Sequence, residues 1–286
     1  MLFRSIWLDH AKIGLCDEEI MDLQDSFSAR CRLAEKLQAC NPSSIVLFAP
    51  GLTIDGSTLV DGMVSVLGRD IPIMGGLAGD DAAFQETWTV TDSGIKPRAV
   101  VALALPAEMK ISNGSYGGWI PFGPVRKVTR SNGSILFELD GEPALEVYKR
   151  YLGDHAKDLP ASGLLFPFEM MDTTQGEERL IRTILGIDES TGSLALAGAI
   201  DPNGYLRLMR ASTDALVDGA QLAAESAAGA PGETAGLALL VSCVGRKLVM
   251  GGRNEEEFEA VRDVLAKDAQ ITGFYSYGEI APSPAT

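Results

Sequence analysis

Residues 44–80, SIVLFAPGLTIDGSTLVDGMVSVLGRDIPIMGGLAGD, set the fold class. Ser44-Ile-Val-Leu-Phe-Ala49 is a short apolar run of the kind that forms a buried strand, and Pro50 to Gly56 reads as a loop. Ser57 is positioned to cap a helix reaching about Leu67, where Gly68 supplies a helix stop. Ile71-Pro-Ile-Met74 is a second strand, leading into a turn predicted over Gly75-Gly76-Leu77-Ala78-Gly79-Asp80. Strand, helix, strand in this length is a βαβ unit. Residues 236–279 repeat the plan: a strand at Leu237–Ser242, a helix at Glu255–Lys267, a strand at Gln270–Thr272, then Gly273-Phe274-Tyr275-Ser276-Tyr277-Gly278-Glu279. Both stretches end in glycine followed by an acid, which favours an internal duplication. The predicted class is α/β (α+β): two related halves, each a mixed sheet with packed helices.

Outward from these units, Ile20, Leu23, Phe27, Cys31, Ala34 and Leu37 fall at helical spacing, so a helix is predicted over 16–40, stopped by Asn41-Pro42-Ser43. Thr87–Thr91 and Ala99–Leu105 flank a turn at Asp92-Ser93-Gly94, and Val125–Arg130 and Ile135–Leu139 flank Ser131-Asn132-Gly133; both pairs read as hairpins. A helix follows at Pro143–Leu152. The polar stretch Gly153–Gly163, carrying Pro160, is the expected boundary, dividing the chain into 1–153 and 154–286. Beyond it come a hairpin of Leu180–Ile187 with Leu194–Ala197, a strand at Tyr205–Met209, a helix over 213–228 and a Gly/Pro loop at Ala228–Glu233.

Composition removes function classes more than it assigns one. The formal net charge of −15 repels nucleic acid and anionic lipid. No run approaches the ~20 apolar residues of a membrane span, and Met1–His10 lacks the pattern of a secretory signal, so a cytoplasmic location is expected. Cys16, Cys31, Cys40 and Cys243 form no CxxC pair and read as reduced thiols, and two histidines, His10 and His155, supply a zinc site poorly. Both histidines look solvated. Only the last residues, Ala281–Thr286, have the composition of a disordered tail.

Several clusters could still carry chemistry. Gly75, Gly76 and Gly79 after a strand let the backbone approach a ligand, with Asp80 beside them, or they form a plain tight turn. The spacing is that of neither the dinucleotide fingerprint nor the phosphate-binding lysine loop. Tyr275, Tyr277, Gly278 and Glu279 offer phenols and a carboxylate to a small polar ligand, for instance its ammonium group, or they are an aromatic strand with an ion-paired acid. Cys243 and Arg246 end a buried strand, where α/β proteins place ligands. Arg246 suits a carboxylate or a structural ion pair, and Cys243 reads as core packing. Trp119, among glycines, walls a pocket or plugs a loop. No Gly-x-Ser-x-Gly elbow is present and neither histidine sits in a catalytic motif, so no catalytic residue is assigned.

Taken together, Ile71-Pro-Ile-Met-Gly-Gly-Leu-Ala-Gly-Asp80, Gly118-Trp-Ile-Pro-Phe-Gly-Pro124, Val128-Thr129, Leu139-Asp-Gly-Glu-Pro-Ala-Leu-Glu-Val-Tyr148, Arg182-Thr-Ile-Leu-Gly-Ile-Asp188, Cys243-Val-Gly-Arg246 and Gly273–Ile280 resemble the FIST sensory proteins, over roughly residues 44–282. The resemblance implies a FIST N-like domain and junction followed by a FIST C-like domain, and a binding module for small polar ligands such as amino acids rather than an enzyme. It implies a histidine kinase, chemoreceptor or diguanylate cyclase as signalling partner. It also raises a haem-based nitric oxide sensor as an alternative, and a thiol-dependent enzyme through Cys243 stands as a further one. Set against the family, the chain is expected to be short at both ends. On that resemblance it would lack an upstream strand–helix–strand unit and a strand after Gly278-Glu279-Ile280.

Overall fold

The computed structural model describes residues 12–20, 26–171, 179–228, 236–265 and 267–282. His10, Leu23, the side chain of Phe27, most of the Ala228–Glu233 loop and the end of the Ala281–Thr286 tail lie outside the described residues. The chain forms two compact units: residues 1–113, 239–243 and 273–286 make the first, and 114–238 and 244–272 the second. The α/β class is shown, with sheets and helices in both.

The first unit holds β1 (Gly14–Glu19), α1 (Ser26–Gln38), β2 (Ser44–Pro50), α2 (Gly56–Leu67), β3 (Ile73–Ala78), β4 (Thr89–Thr91), β5 (Gly94–Lys96) and β6 (Ala99–Leu105). Most of β15 (Leu237–Cys243) and of β16 (Gln270–Ile280) returns to it. One six-stranded sheet runs β1-β6-β2-β3-β16-β15. It is mixed, with β2 parallel to β3, β6 antiparallel to β1 and β2, and β16 antiparallel to β3. Alternation along each strand divides its side chains between two faces. Ile45, Leu47, Ala49, Ile73, Leu77, Val100, Ala102 and Ala104 join Leu33 and Leu37 of α1 and Leu59 and Met63 of α2 in one core.

Several local expectations change. Residues 14–19 do not begin the helix predicted over 16–40; they pair antiparallel with β6, from Gly14↔Ala104 to Glu19↔Ala99, and α1 starts at Ser26. Apolar spacing cannot tell a short edge strand from a helix's first turn. Helix α2 is capped by Asp55, whose carboxylate accepts from the Thr58 amide at 2.7 Å, not by Ser57; Gly68 does end it. Gly75 and Gly76 lie inside β3, and Phe274–Glu279 inside β16, so neither glycine-rich motif is a turn over most of its length. The hairpin at Asp92-Ser93-Gly94 joins β4 to β5, while Ala99–Leu105 goes to the main sheet.

The second unit holds β7 (Ile120–Asn132), β8 (Ile135–Leu139), β9 (Glu142–Pro143), α3 (Ala144–Leu152), β10 (Phe168–Met171), β11 (Arg179–Arg182), β12 (Ile184–Asp188), β13 (Ser193–Leu196), β14 (Tyr205–Arg210), α4 (Thr213–Ala227), α5 (Val244–Met250) and α6 (Asn254–Val264). Its sheet runs β11-β10-β14-β7-β8-β13-β12, with β9 on β8, and every described pairing is antiparallel. The β7–β8 hairpin turns at Gly133, with φ +58°. Leu180–Ile187 is two strands broken at Thr183, lying at opposite ends of the sheet order. Tyr148 of α3 is fully buried among Leu136, Leu194 and Phe168, and its hydroxyl donates to the Phe166 carbonyl at 2.8 Å. Gly153–Gly163 lies within this unit as two short 3-10 turns.

Candidate functional site

The first unit brings two of the sequence motifs together, through Asp80 and Tyr277 rather than through the two acids Asp80 and Glu279. After β3 the chain turns at Gly79-Asp80, and the Asp80 carboxylate accepts hydrogen bonds from the amides of Phe84 (2.9 Å), Gln85 (2.7 Å) and Glu86 (3.0 Å). The Tyr277 hydroxyl donates to it as well. Desolvation opposes ionisation, but the bonds from Tyr277 and the three amides outweigh it and hold the carboxyl down to about 2. The same pairing, after burial, pushes the Tyr277 phenol up. The strap from Asp81 to Glu86 carries left-handed backbone at Asp81 (φ 61°), Ala82 (φ 64°) and Phe84 (φ 50°), a geometry that fixed partners must hold. Phe84 stacks on Tyr277 with ring centroids 4.6 Å apart and planes within 6°.

A bulge in β16 aims Tyr277 at this strap. Ser276 pairs with Ala78 and Gly278 with Leu77, leaving Tyr277 as the extra residue between them. The buried Ser276 hydroxyl accepts from the Gly278 amide at 2.9 Å, which stabilises the kink. Room for the ring comes from missing side chains. A Cβ on Gly51 would lie 2.9 Å from the Tyr277 Cβ, and one on Gly79 would lie 2.9 Å from the Tyr275 carbonyl. Gly75 and Gly76 serve sheet packing instead: their Cβ atoms would meet the Leu47 carbonyl at 2.0 Å and Val241 at 2.6 Å. Glu279 stands opposite Gly76 in the β3–β16 ladder, so it is carried by the strand.

Beside this strap lies a cavity of about 310 Å³, lined by Phe48, Gly76, Ala78, Trp88, Thr89, Val90, Val101 and Phe274. Phe48, Gly76, Ala78 and Val101 alternate with the residues facing α1 and α2, so the cavity opens on the sheet's other face. The β4 strand forms a wall, anchored by the Thr89 hydroxyl donating to the Ala99 carbonyl at 2.6 Å. Phe48 and Phe274 lie 6.0 Å apart, and Trp88 remains 49% exposed at the rim. The cavity therefore sits near the carboxyl ends of the parallel pair β2 and β3, where open α/β sheets bind ligands. Sequence reading missed Phe48, Trp88, Val90 and Val101. The alternation within Ser44–Ala49, which sets Phe48 opposite Leu47, was the available signal.

Arg246 and Cys243 do not join this cluster. Arg246 lies in the second unit, on α5, 6% exposed. Its Nε and Nη2 donate to Glu257 at 2.8 and 2.7 Å, Nη1 donates to the Gly117 carbonyl at 2.8 Å, and Nη2 donates to the Leu216 carbonyl at 2.7 Å. A guanidinium engaged on every nitrogen is a structural clamp. Cys243 ends β15, half-buried. Trp119 is half-buried in the loop before β7, next to Gly118 in left-handed conformation (φ 66°). A second cavity, between α4 and α6, is lined by Glu225, Glu256, Glu259 and Asp263 among others. Neither cavity presents a histidine, cysteine, methionine or tyrosine, so neither fits haem with an axial ligand. Among the described residues no three metal-ligating side chains cluster, and no helix is long and apolar enough to cross a membrane.

The chain is 28% identical over 248 residues to an uncharacterized protein of Mycobacterium tuberculosis, covering 84% of this chain and 60% of that protein. A protein of Mycobacterium bovis, also uncharacterized, is 27% identical over 249 residues with the same coverage. An uncharacterized protein of Methanocaldococcus jannaschii is 28% identical over 139 residues, 44% of this chain and 26% of its own length. The chain thus spans about 60% of the mycobacterial relatives it matches. No solved structure matches. Residues 3–142 match the FIST N domain and 144–282 the FIST C domain, together nearly the whole sequence, and the chain belongs to the FIST family of sensory, signal-transduction domains.

Proposed function

We propose that this chain is a sensory module that takes a small ligand, an amino acid or a similar polar metabolite, into the cavity of its first unit. The observation that carries this reading is a cavity of about 310 Å³ at the carboxyl ends of β2 and β3 with a pinned strap beside it. Its walls are apolar, so the ligand buries an apolar side chain against Phe48, Val101 and Phe274 and keeps its charged end toward the rim at Trp88. The role is binding, not catalysis: the cavity's one hydroxyl, on Thr89, already donates to a carbonyl. Occupancy is read by a signalling partner such as a histidine kinase, chemoreceptor or diguanylate cyclase, in the cytoplasm and without nucleic acid. The family assignment and the acidic charge support this part of the reading.

A thermal-shift screen of the amino acids, paired with tryptophan emission, tests the proposal. A true ligand at a hundredfold excess over its Kd adds about 2.7 kcal/mol. It also changes the Trp88 signal, and Ala78→Leu, which fills the cavity, abolishes both responses. A flat screen in the wild-type chain, or responses that persist in Ala78→Leu, would overturn the assignment.

A further inference from the structure

We propose that Cys16 and Cys40 form a redox site: a dithiol that closes to a disulfide under peroxide and reopens with a thiol reductant. Cys16 lies on the edge strand β1, paired opposite Ala102, and packs against the core of the first unit. Cys40 follows the last turn of α1. The fold brings the two side chains to one patch of β1, where Cys40 acts electrostatically on the Cys16 thiol. The placement depends on Gly14, two residues before Cys16 and therefore on the same face of β1. A Cβ there would come within 2.6 Å of the Cys40 Sγ, so the absent side chain at position 14 is the space the thiol occupies.

The two thiols divide the labour. Cys40 is exposed and meets an oxidant first, its Sγ lying 3.7 Å from the Lys36 carbonyl. Cys16 is half-buried, and desolvation followed by the neighbouring Cys40 pushes its thiol up, with the Lys36 ammonium acting in the opposite sense. That ammonium is held over β1 by the Asp17 carbonyl at 2.8 Å and Glu18 at 2.7 Å. Hydrogen peroxide oxidises the Cys40 sulfur to a sulfenic acid and leaves as water. The Cys16 sulfur then attacks it, forming the S–S bond and expelling the oxygen as a second water that carries the Cys16 proton. Two thiols lose two electrons and two protons, and one peroxide accepts them. The product ties the edge strand to the end of α1. It is a second input, independent of the cavity.

The full chain is treated with hydrogen peroxide, then denatured and titrated with a thiol reagent, with intact mass recorded in parallel. The four thiols are expected to fall to two, with loss of two hydrogen masses and full recovery by dithiothreitol. Cys40→Ser, at an exposed position, and Cys16→Ser are each expected to abolish the loss. Cys31→Ser and Cys243→Ser keep it, and Gly14→Ala, which displaces the Cys40 thiol, slows it. Four thiols remaining, a loss that survives in Cys40→Ser, or addition of oxygen at Cys40 while Cys16 stays reduced would each overturn the site.

Discussion

Helix α2 and the α5–α6 pair each stand between two strands of the six-stranded sheet, yet different forces hold them. Helix α2 returns to the sheet it came from, with Leu59 and Met63 wholly buried in the first unit's core. Helices α5 and α6 leave β15 for the second unit before the chain comes back as β16. There Arg246 and Glu257, both over 90% buried, form an ion pair. Each region also holds a buried arginine. Arg30, on α1 against α2, donates from Nη1 to the Thr58 carbonyl at 2.7 Å, but its Nε has no hydrogen-bond partner. Arg246 is engaged at every nitrogen. One order of elements thus supports either an apolar seam or an ionic clamp, and the side chains on the helix decide which.

The sharpest way to break this contrast is Arg246→Met. It withdraws the guanidinium from buried Glu257 and from two carbonyls, and is expected to cost about 3–5 kcal/mol by denaturant unfolding. A loss below ~1 kcal/mol would mean that the clamp is incidental. Next, Leu59→Ala should cost about 3 kcal/mol through the cavity it leaves under α2, with little change in the second unit's hydrogen-exchange protection. Tyr277→Phe removes one donor from Asp80 while keeping the Phe84 stack. It should cost about 1 kcal/mol and speed proteolysis of the 81–86 strap. Arg30→Met, removing an arginine that is incompletely paired, should change stability by less than about 1 kcal/mol, so that the two arginines differ several-fold under the same substitution.

The finest test uses pH. The folded Asp80 carboxyl titrates at about 2, below the ordinary value near 4. Its contribution is therefore fully present above the unfolded value and is lost as pH falls from about 4 toward 2. The difference in stability between wild type and Asp80→Ala should shrink across that window and stay constant above pH 5. A difference that holds constant down to pH 2 would show that the carboxylate's charge does not anchor the strap.

The sequence was legible where local chemistry acts alone. The short apolar run at Ser44–Ala49, the stop at Gly68 and the turn at Gly133 each follow from one residue type in one local setting. It was misleading where partners are distant. Gly75 and Gly76 look like a turn, but their missing side chains admit the Leu47 carbonyl and Val241, contacts that exist only in the assembled sheet. Phe274–Glu279 reads either as ligand contacts or as an aromatic strand; pairing with β3 makes it a strand, and a bulge sends Tyr277 rather than Glu279 to Asp80. The cavity was hidden because its wall draws on five separated segments, none of which has a polar signature.

By itself, the amino-acid order determined the α/β class, most of the helices and strands, and the family, because these depend on periodicity, caps and turn residues close in the chain. The tertiary structure alone decided that Asp80 organises a strap, that Arg246 is a clamp, and that the apolar cavity forms beside β3. Each of those roles depends on which distant donor, acid or ring the fold brings within hydrogen-bond or van der Waals reach.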